Sequence, residues 1–209
     1  MHLESIGIES YDSFAKSLFE EGNRKLADGV TAQVYEVSHG VTWYTQKLFN
    51  TLYAFTSEGE TCVHEQVQEA LDYIIKTQSY SYEEVLFRLP EKQKMVLIAL
   101  AKNGPTQSVT SSLFVQKYSL QSASTVQSAI RGLLEKDFVT SEKGVYTVYD
   151  IFFAYWLQKM YWQIYAIVMT LGTMSLQSKS GNPIWVMNTH DGLPLLCVYI
   201  DLWRIENML

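Results

Sequence analysis

Apolar residues recur at three- and four-residue intervals through most of the chain, then switch to alternation near Phe138, and that change of period organises the reading. Four amphipathic helices are predicted in the first ninety residues. Ser10 is placed to cap the first, in which Tyr11, Phe14, Leu18 and Phe19 share a face up to Glu21-Gly22-Asn23. Asp28-Gly29 opens the second, with Val30, Val34 and Val37 on one side and Ser38-His39-Gly40 as its close. The third runs from about Thr42 to Phe55 and buries Tyr44, Leu48, Leu52 and Phe55. The fourth, about Val63 to Thr77, buries Val67, Ala70, Leu71 and Ile74. No strand signal interrupts them, so this part reads as a helical bundle.

From Leu89 to Asp150 the pattern predicts three short helices and a two-stranded hairpin, the order of a winged helix. Pro90 opens the first, Met95, Val96, Ile98, Ala99 and Leu100 face inward, and Asn103-Gly104-Pro105 stops it. The second, about Ser111 to Tyr118, turns Leu113, Phe114 and Val115 inward. The third starts behind Ser122 and stacks Val126, Ala129, Ile130, Leu133 and Leu134 on one stripe. Phe138-Val139-Thr140 and Val145-Tyr146-Thr147-Val148 then alternate across Ser141-Glu142-Lys143-Gly144, which predicts the wing.

Composition changes this picture only in its electrostatics. With 209 residues and 47% hydrophobic content the chain can bury a core, and its net charge of -6 is not that of a nucleic-acid binder. The charge is uneven: residues 1–88 hold 6 Lys/Arg against 14 Asp/Glu, residues 89–150 hold 7 against 5, and residues 151–209 hold 3 against 3. Only the winged-helix part is mildly basic. Cys62 and Cys197 fit no metal spacing and read as free thiols of a reducing, cytoplasmic compartment. The N-terminus lacks a charged-then-apolar pattern and the apolar run from Ile151 to Leu171 is broken by Gln158, Lys159 and Gln163, so neither a signal peptide nor a membrane partner is expected.

Candidate chemistry is sparse. His39 and His64 lack a second ligand at helical spacing, Glu65, Glu69 and Asp72 read as a solvated face, and no nucleophile–base arrangement emerges. Two places remain. The third winged-helix helix leaves Ser124, Thr125, Gln127, Ser128 and Arg131 opposite its apolar stripe, and with Lys143 in the wing these would meet DNA. The joint from Ser38 to Gln46 sets Gly40 and Thr42 beside Trp43 and Tyr44. It suits an anion and a flat base, or else is a tight turn with both aromatics packed inside.

Four spaced matches then resemble the C-terminal half of archaeal-type P-loop ATPases, AAA-related proteins of the signal-transducing, numerous-domain class. They are Ile8-Glu9-Ser10-Tyr11 with Phe14 and Phe19; His39-Gly40-Val41-Thr42-Trp43-Tyr44 with Gln46, Asn50 and Tyr53; Leu89 with Gln93, Leu97, Ala99 and Ala101; and Tyr146 with Asp150, Phe152, Trp156 and Leu157. The resemblance implies a mainly α fold: a helical lid over residues 1–88, a winged-helix domain with a small hairpin wing over 89–162, and an atypical tail over 163–209. It also implies that Gly40, Thr42, Trp43 and Tyr44 lie near a nucleotide. The wider class carries Gly-x-Pro where this chain has Gly40-Val41-Thr42, so the proline is missing.

No Gly-x-x-x-x-Gly-Lys-Ser/Thr occurs, nor any Gly-Lys pair, so this chain alone cannot cradle a triphosphate and no ATPase activity is expected of it. The resemblance places ATP and magnesium in a longer parent whose core is the expected partner, and Met1 falls where that core would hand over to its lid. The leading expectation is therefore a lid and winged-helix regulatory segment. The alternatives are a stand-alone winged-helix DNA-binding regulator and a protein-docking module. The tail, with five charged residues after Gln163, is expected to be a non-homologous end that packs poorly, or else a hairpin of Ile184–Met187 with Leu195–Ile200.

Overall fold

The computed structural model describes residues 7–160 and the paired strands Met174–Lys179 and Asn182–Met187. The described chain is mainly helical and falls into two compact units. One contains the residues up to Phe87 with Ile151–Phe153, and the other contains Arg88–Asp150 with the residues from Ala154 onward.

In the first unit α1 (Ile8–Glu21), α2 (Val30–Ser38), α3 (Thr42–Phe55) and α4 (His64–Arg88, whose last residue belongs to the second unit) supply the expected bundle. Its centre is made of Val30, Val34, Leu48, Leu52, Val67 and Ala70, all fully buried. These recur four residues apart on α2 and α3, so one stripe of each helix leaves water, roughly 2 kcal/mol for each side chain fully removed. Three readings are corrected. Ser10 lies inside α1, which begins at Ile8 behind Gly7 with no side-chain cap. Phe14 and Leu18 stand on the outer part of the α1 stripe and remain exposed, as does Phe55 in the last turn of α3, which was expected inside. Two short strands, β1 (Lys25–Leu26) and β2 (Thr61–Cys62), pair in parallel between the helices. Two residues are too few to leave a period in the sequence.

Arg24 ties the C-terminal ends of α1 and α3. Its Nε donates to the Thr56 carbonyl at 2.6 Å, its Nη1 to the Gly22 carbonyl at 2.7 Å, and its guanidinium lies 4.3 Å over the Tyr53 ring. Gly22 is required by space: a Cβ there would stand 1.9 Å from the Tyr53 hydroxyl. Cys62 is a free, fully buried thiol that burial pushes toward a higher pKa. Cys197 lies outside the described residues.

The second unit has the chain order of a winged helix. α5 (Glu91–Asn103), α6 (Ser112–Lys117) and α7 (Ala123–Leu134) are followed by β3 (Val139–Glu142) and β4 (Val145–Val148), which pair antiparallel. Thr106 adds a rung that the sequence did not announce: it exchanges backbone hydrogen bonds with Tyr146, an isolated antiparallel bridge beside the wing. Pro90 is the N-cap of α5 rather than its first residue. Ser111 and Ser122 cap α6 and α7 by accepting from the Phe114 and Thr125 amides, each at 3.2 Å. α6 turns Phe114 inward, but Leu113, expected inside, is 77% exposed. Six residues make less than two turns, so only one of three consecutive apolar residues can face the core.

A last helix, α8, covers 151–160 and buries Phe152, Phe153, Trp156 and Leu157. Beyond it, Ile184–Met187 does lie in a strand, but its partner is β5 (Met174–Lys179), Met174 facing Met187 across the pair with β6 (Asn182–Met187). Leu195–Ile200 falls outside the described residues.

Two outcomes follow. Ser122→Ala leaves a first-turn amide of α7 without its acceptor and should lower unfolding stability by about 1 kcal/mol, read by urea denaturation. Asp12 should make the first unit sensitive to acid. The Thr31 hydroxyl donates to its carboxylate at 2.6 Å and Lys16 lies 3.0 Å away, and together they lower its pKa. A carboxyl held lower in the folded state stabilises above the ordinary carboxylate range and loses that contribution as pH falls through its own value. Melting curves of Asp12→Asn should therefore lose less stability on acidification than those of the parent chain.

Candidate functional site

The two candidate regions lie in different units and are built separately. In the second unit, α7 is held by its apolar stripe: Val126, Ala129, Ile130 and Leu133 are buried. That rotation leaves Ser124, Gln127, Ser128 and Arg131 exposed on the opposite face, at the i, i+3, i+4, i+7 spacing of a single stripe. Thr125 is half-buried. Its hydroxyl lies 3.0 Å from the Ser122 hydroxyl, which in turn lies 3.0 Å from that of Ser124. The first two candidates are thus bound into the helix cap, while Gln127, Ser128 and Arg131 have no side-chain partner among the described residues.

Lys143 sits at the tip of the wing. Glu142 pairs with Val145, so the loop is the two residues Lys143-Gly144, both left-handed at φ 50° and 79°. This is the mirror-image turn whose twist matches that of the flanking strands, and it explains the glycine. Thr140 and Thr147 face each other across the hairpin with hydroxyls 2.9 Å apart. The surface so formed has two candidate cations, Arg131 and Lys143, and three short polar groups. It offers one guanidinium able to bridge two acceptors of a base edge, with little long-range attraction for phosphate.

In the first unit, α2 ends and α3 begins within four residues. His39 and Gly40 are consecutively left-handed, at φ 51° and 68°, which reverses the chain. The Gly40 amide donates to the Tyr35 carbonyl and the Val41 amide to that of Ser38. Beneath the turn the buried hydroxyls of Ser38 and Thr45 lie 2.7 Å apart, and Thr45 also donates to the Val41 carbonyl at 3.0 Å. The turn is therefore fixed from inside.

Thr42 begins α3 and is exposed, as is Trp43, at 56% of its surface. Tyr44 is half-buried, edge-on to Phe152 at 4.8 Å, and the Trp43 indole stands edge-on to Tyr44 at 4.9 Å. Both rings meet Phe152, Trp43 at 6.0 Å, but Tyr44 is the more covered and Trp43 keeps more than half of its surface in water. The N-cap residue Val41 supplies no side-chain acceptor. Neither region contains a nucleophile paired with a base, and among the described residues no group of three His, Cys, Asp or Glu side chains is placed to hold a metal ion. Among the described residues of the first unit none takes the place of a phosphate loop, so these residues do not by themselves fit a triphosphate and its magnesium.

His64, set aside in the sequence, joins the starts of α2 and α4. Its ring nitrogens lie 3.1 Å from Gln33 Oε1 and 3.0 Å from the Asp28 carbonyl. Among the described residues no helix is long and apolar enough to cross a membrane.

Comparison with known proteins agrees with the geometry of the second unit. Residues 80–159 match a family model described as a probable winged helix domain. Neither a curated protein nor a solved structure matches the chain.

Proposed function

We propose that this chain is the lid and winged-helix regulatory segment of an AAA-type ATPase, working with a nucleotide-binding core that residues 1–209 do not contain. The observation that supports this reading is Trp43: a large indole left more than half exposed beside a rigid Gly40 turn and a helix start, where a bundle gains nothing by leaving it wet. Such a plane suits stacking on a purine, and the first amides of α3 suit an adjacent anion. Its neighbour Tyr44 rests on Phe152, a residue of α8, and α8 continues through the buried Trp156 and Leu157 of the winged helix. A ligand that favours one arrangement of Trp43 and Tyr44 would thereby bias α8, which is what coupling to an output domain requires.

The chain alone should give no heat of binding with ATP. Fused behind a P-loop core that carries its own phosphate-binding loop, it should tighten binding of a fluorescent ATP analogue. Trp43→Ala in that fusion should weaken binding at least about fivefold, or about 1 kcal/mol. Equal affinity with and without the segment would overturn the proposal.

The second reading, a stand-alone DNA-binding regulator, is favoured by one observation, the unpartnered stripe Gln127, Ser128 and Arg131 opposite the apolar face of α7. With Arg131 and Lys143 as its cations, duplex binding should weaken with salt at a log–log slope of only about -2. Fluorescence anisotropy on random duplex checks this. Arg131→Ala should reduce the slope by about one unit, and salt-independent or absent binding would retire the idea.

A further inference from the structure

Between α1 and α3, away from the Gly40 turn, the first unit carries an open groove of about 590 Å³. One wall is Tyr11, Phe14 and Leu18 of α1, and the other is Gln46, Asn50 and Tyr53 of α3. Each wall repeats at three or four residues, so the groove follows two helices for about two turns, roughly 11 Å. Its lip is wet and apolar: Phe14 is 55% exposed and Leu18 44%. The floor is firm, because Tyr11 stacks on Phe49 at 5.4 Å and Phe19 meets Tyr53 edge-on at 5.3 Å.

We infer that this groove receives an amphipathic helix with basic flanks, contributed by another polypeptide. The helical form follows from the walls. Both are α-helices whose backbone groups are bonded internally, so an extended peptide would bury amides that only Gln46 and Asn50 could satisfy. A helix arrives with its backbone bonded and needs only apolar side chains at matching spacing.

The basic flanks follow from charge. Residues 1–88 carry 6 Lys/Arg against 14 Asp/Glu, a balance of -8. Glu21 lines the groove, and Glu9, Glu20 and Glu21 of α1 make no ion pair among the described residues. Two of the nearby cations are already engaged, Lys16 between Asp12 and Asp28 and Arg24 with Thr56, Gly22 and Tyr53, which leaves Lys47 on α3 and Lys25 against the three glutamates. A small planar ligand would leave the Phe14 and Leu18 lip in water. This inference does not depend on the nucleotide reading, since it concerns the outer face of α1 and α3.

The test uses the full chain and two fluorescein-labelled, alanine-based helical peptides of about fourteen residues. Both carry leucines at the groove's spacing; one has lysine flanks, the other glutamate. By anisotropy the lysine peptide should bind at least about tenfold more tightly than the glutamate peptide, and less tightly as salt is raised. Phe14→Ser and Leu18→Arg, both at exposed positions, should each weaken it about tenfold or more. Leu113→Ser, at an exposed leucine of the other unit, should not. Side-chain amide resonances of Gln46 and Asn50 should shift on titration. Equal binding of both peptides, binding untouched by Phe14→Ser and Leu18→Arg, unmoved Gln46 and Asn50 resonances, or no binding at millimolar peptide would each overturn the inference. So would a small apolar dye held in the cavity undisplaced by saturating peptide.

Discussion

Packing of α7 on α5 is the constraint from which the second unit takes its form. The buried stripe of α7 meets an α5 in which Val96, Leu97, Ile98, Ala99 and Leu100 are all buried, and this pairing fixes the rotation of α7 about its own axis. Turning the helix by one residue, about 100°, would submerge Gln127 and Arg131 and expose Val126 and Leu133. The cost of that error is a buried amide without partners plus a lost apolar side chain, several kcal/mol against the few that stabilise a small unit. Gly132 leaves room for the Gln93 side chain where it lies in the structure. A Cβ there would meet the Gln93 side-chain amide at 2.2 Å, and Gln93 in turn accepts from Lys136 at 3.0 Å. The polar stripe of α7 is therefore a by-product of the core in position, though not in composition.

The first unit achieves rigidity differently, through short polar links beneath its turns. Ser38 and Thr45 satisfy each other where α2 gives way to α3, and Arg24 satisfies two carbonyls where α1 and α3 end. Buried polar groups that are completely paired specify one geometry, because any slip leaves one of them without a partner. That is why the His39–Gly40 reversal and the exposed Trp43 can be regarded as fixed features of the surface.

Much of this was legible in the chain because period survives tertiary packing. The helices α3 and α7 appear within a residue of their expected limits, and Ser122 caps where serine before an apolar run should cap. What escaped notice had physical reasons. The pairs β1 and β2, and the Thr106 rung, involve one or two residues each and depend on a distant strand. α4 extends to Arg88 through Tyr80, Tyr82 and Phe87, aromatic positions whose mixed exposure blurs its stripe. Leu113 lies outside because a helix of six residues cannot turn three consecutive side chains to one face. The rotation of Trp43 outward and Tyr44 partly inward was open in the sequence, since adjacent residues on a helix differ by 100° and the Phe152 ring that both meet comes from a distant helix.

The wing tip bears on how the second unit meets any partner. In a Lys143-Gly144 loop of two residues, both backbone conformations are already set by strand pairing on either side. Only the lysine side chain retains rotational freedom. Contact with a partner would therefore remove little conformational entropy from the loop itself, unlike a long loop that must first be ordered. A short wing of this kind discriminates by where its tip stands rather than by how it adapts.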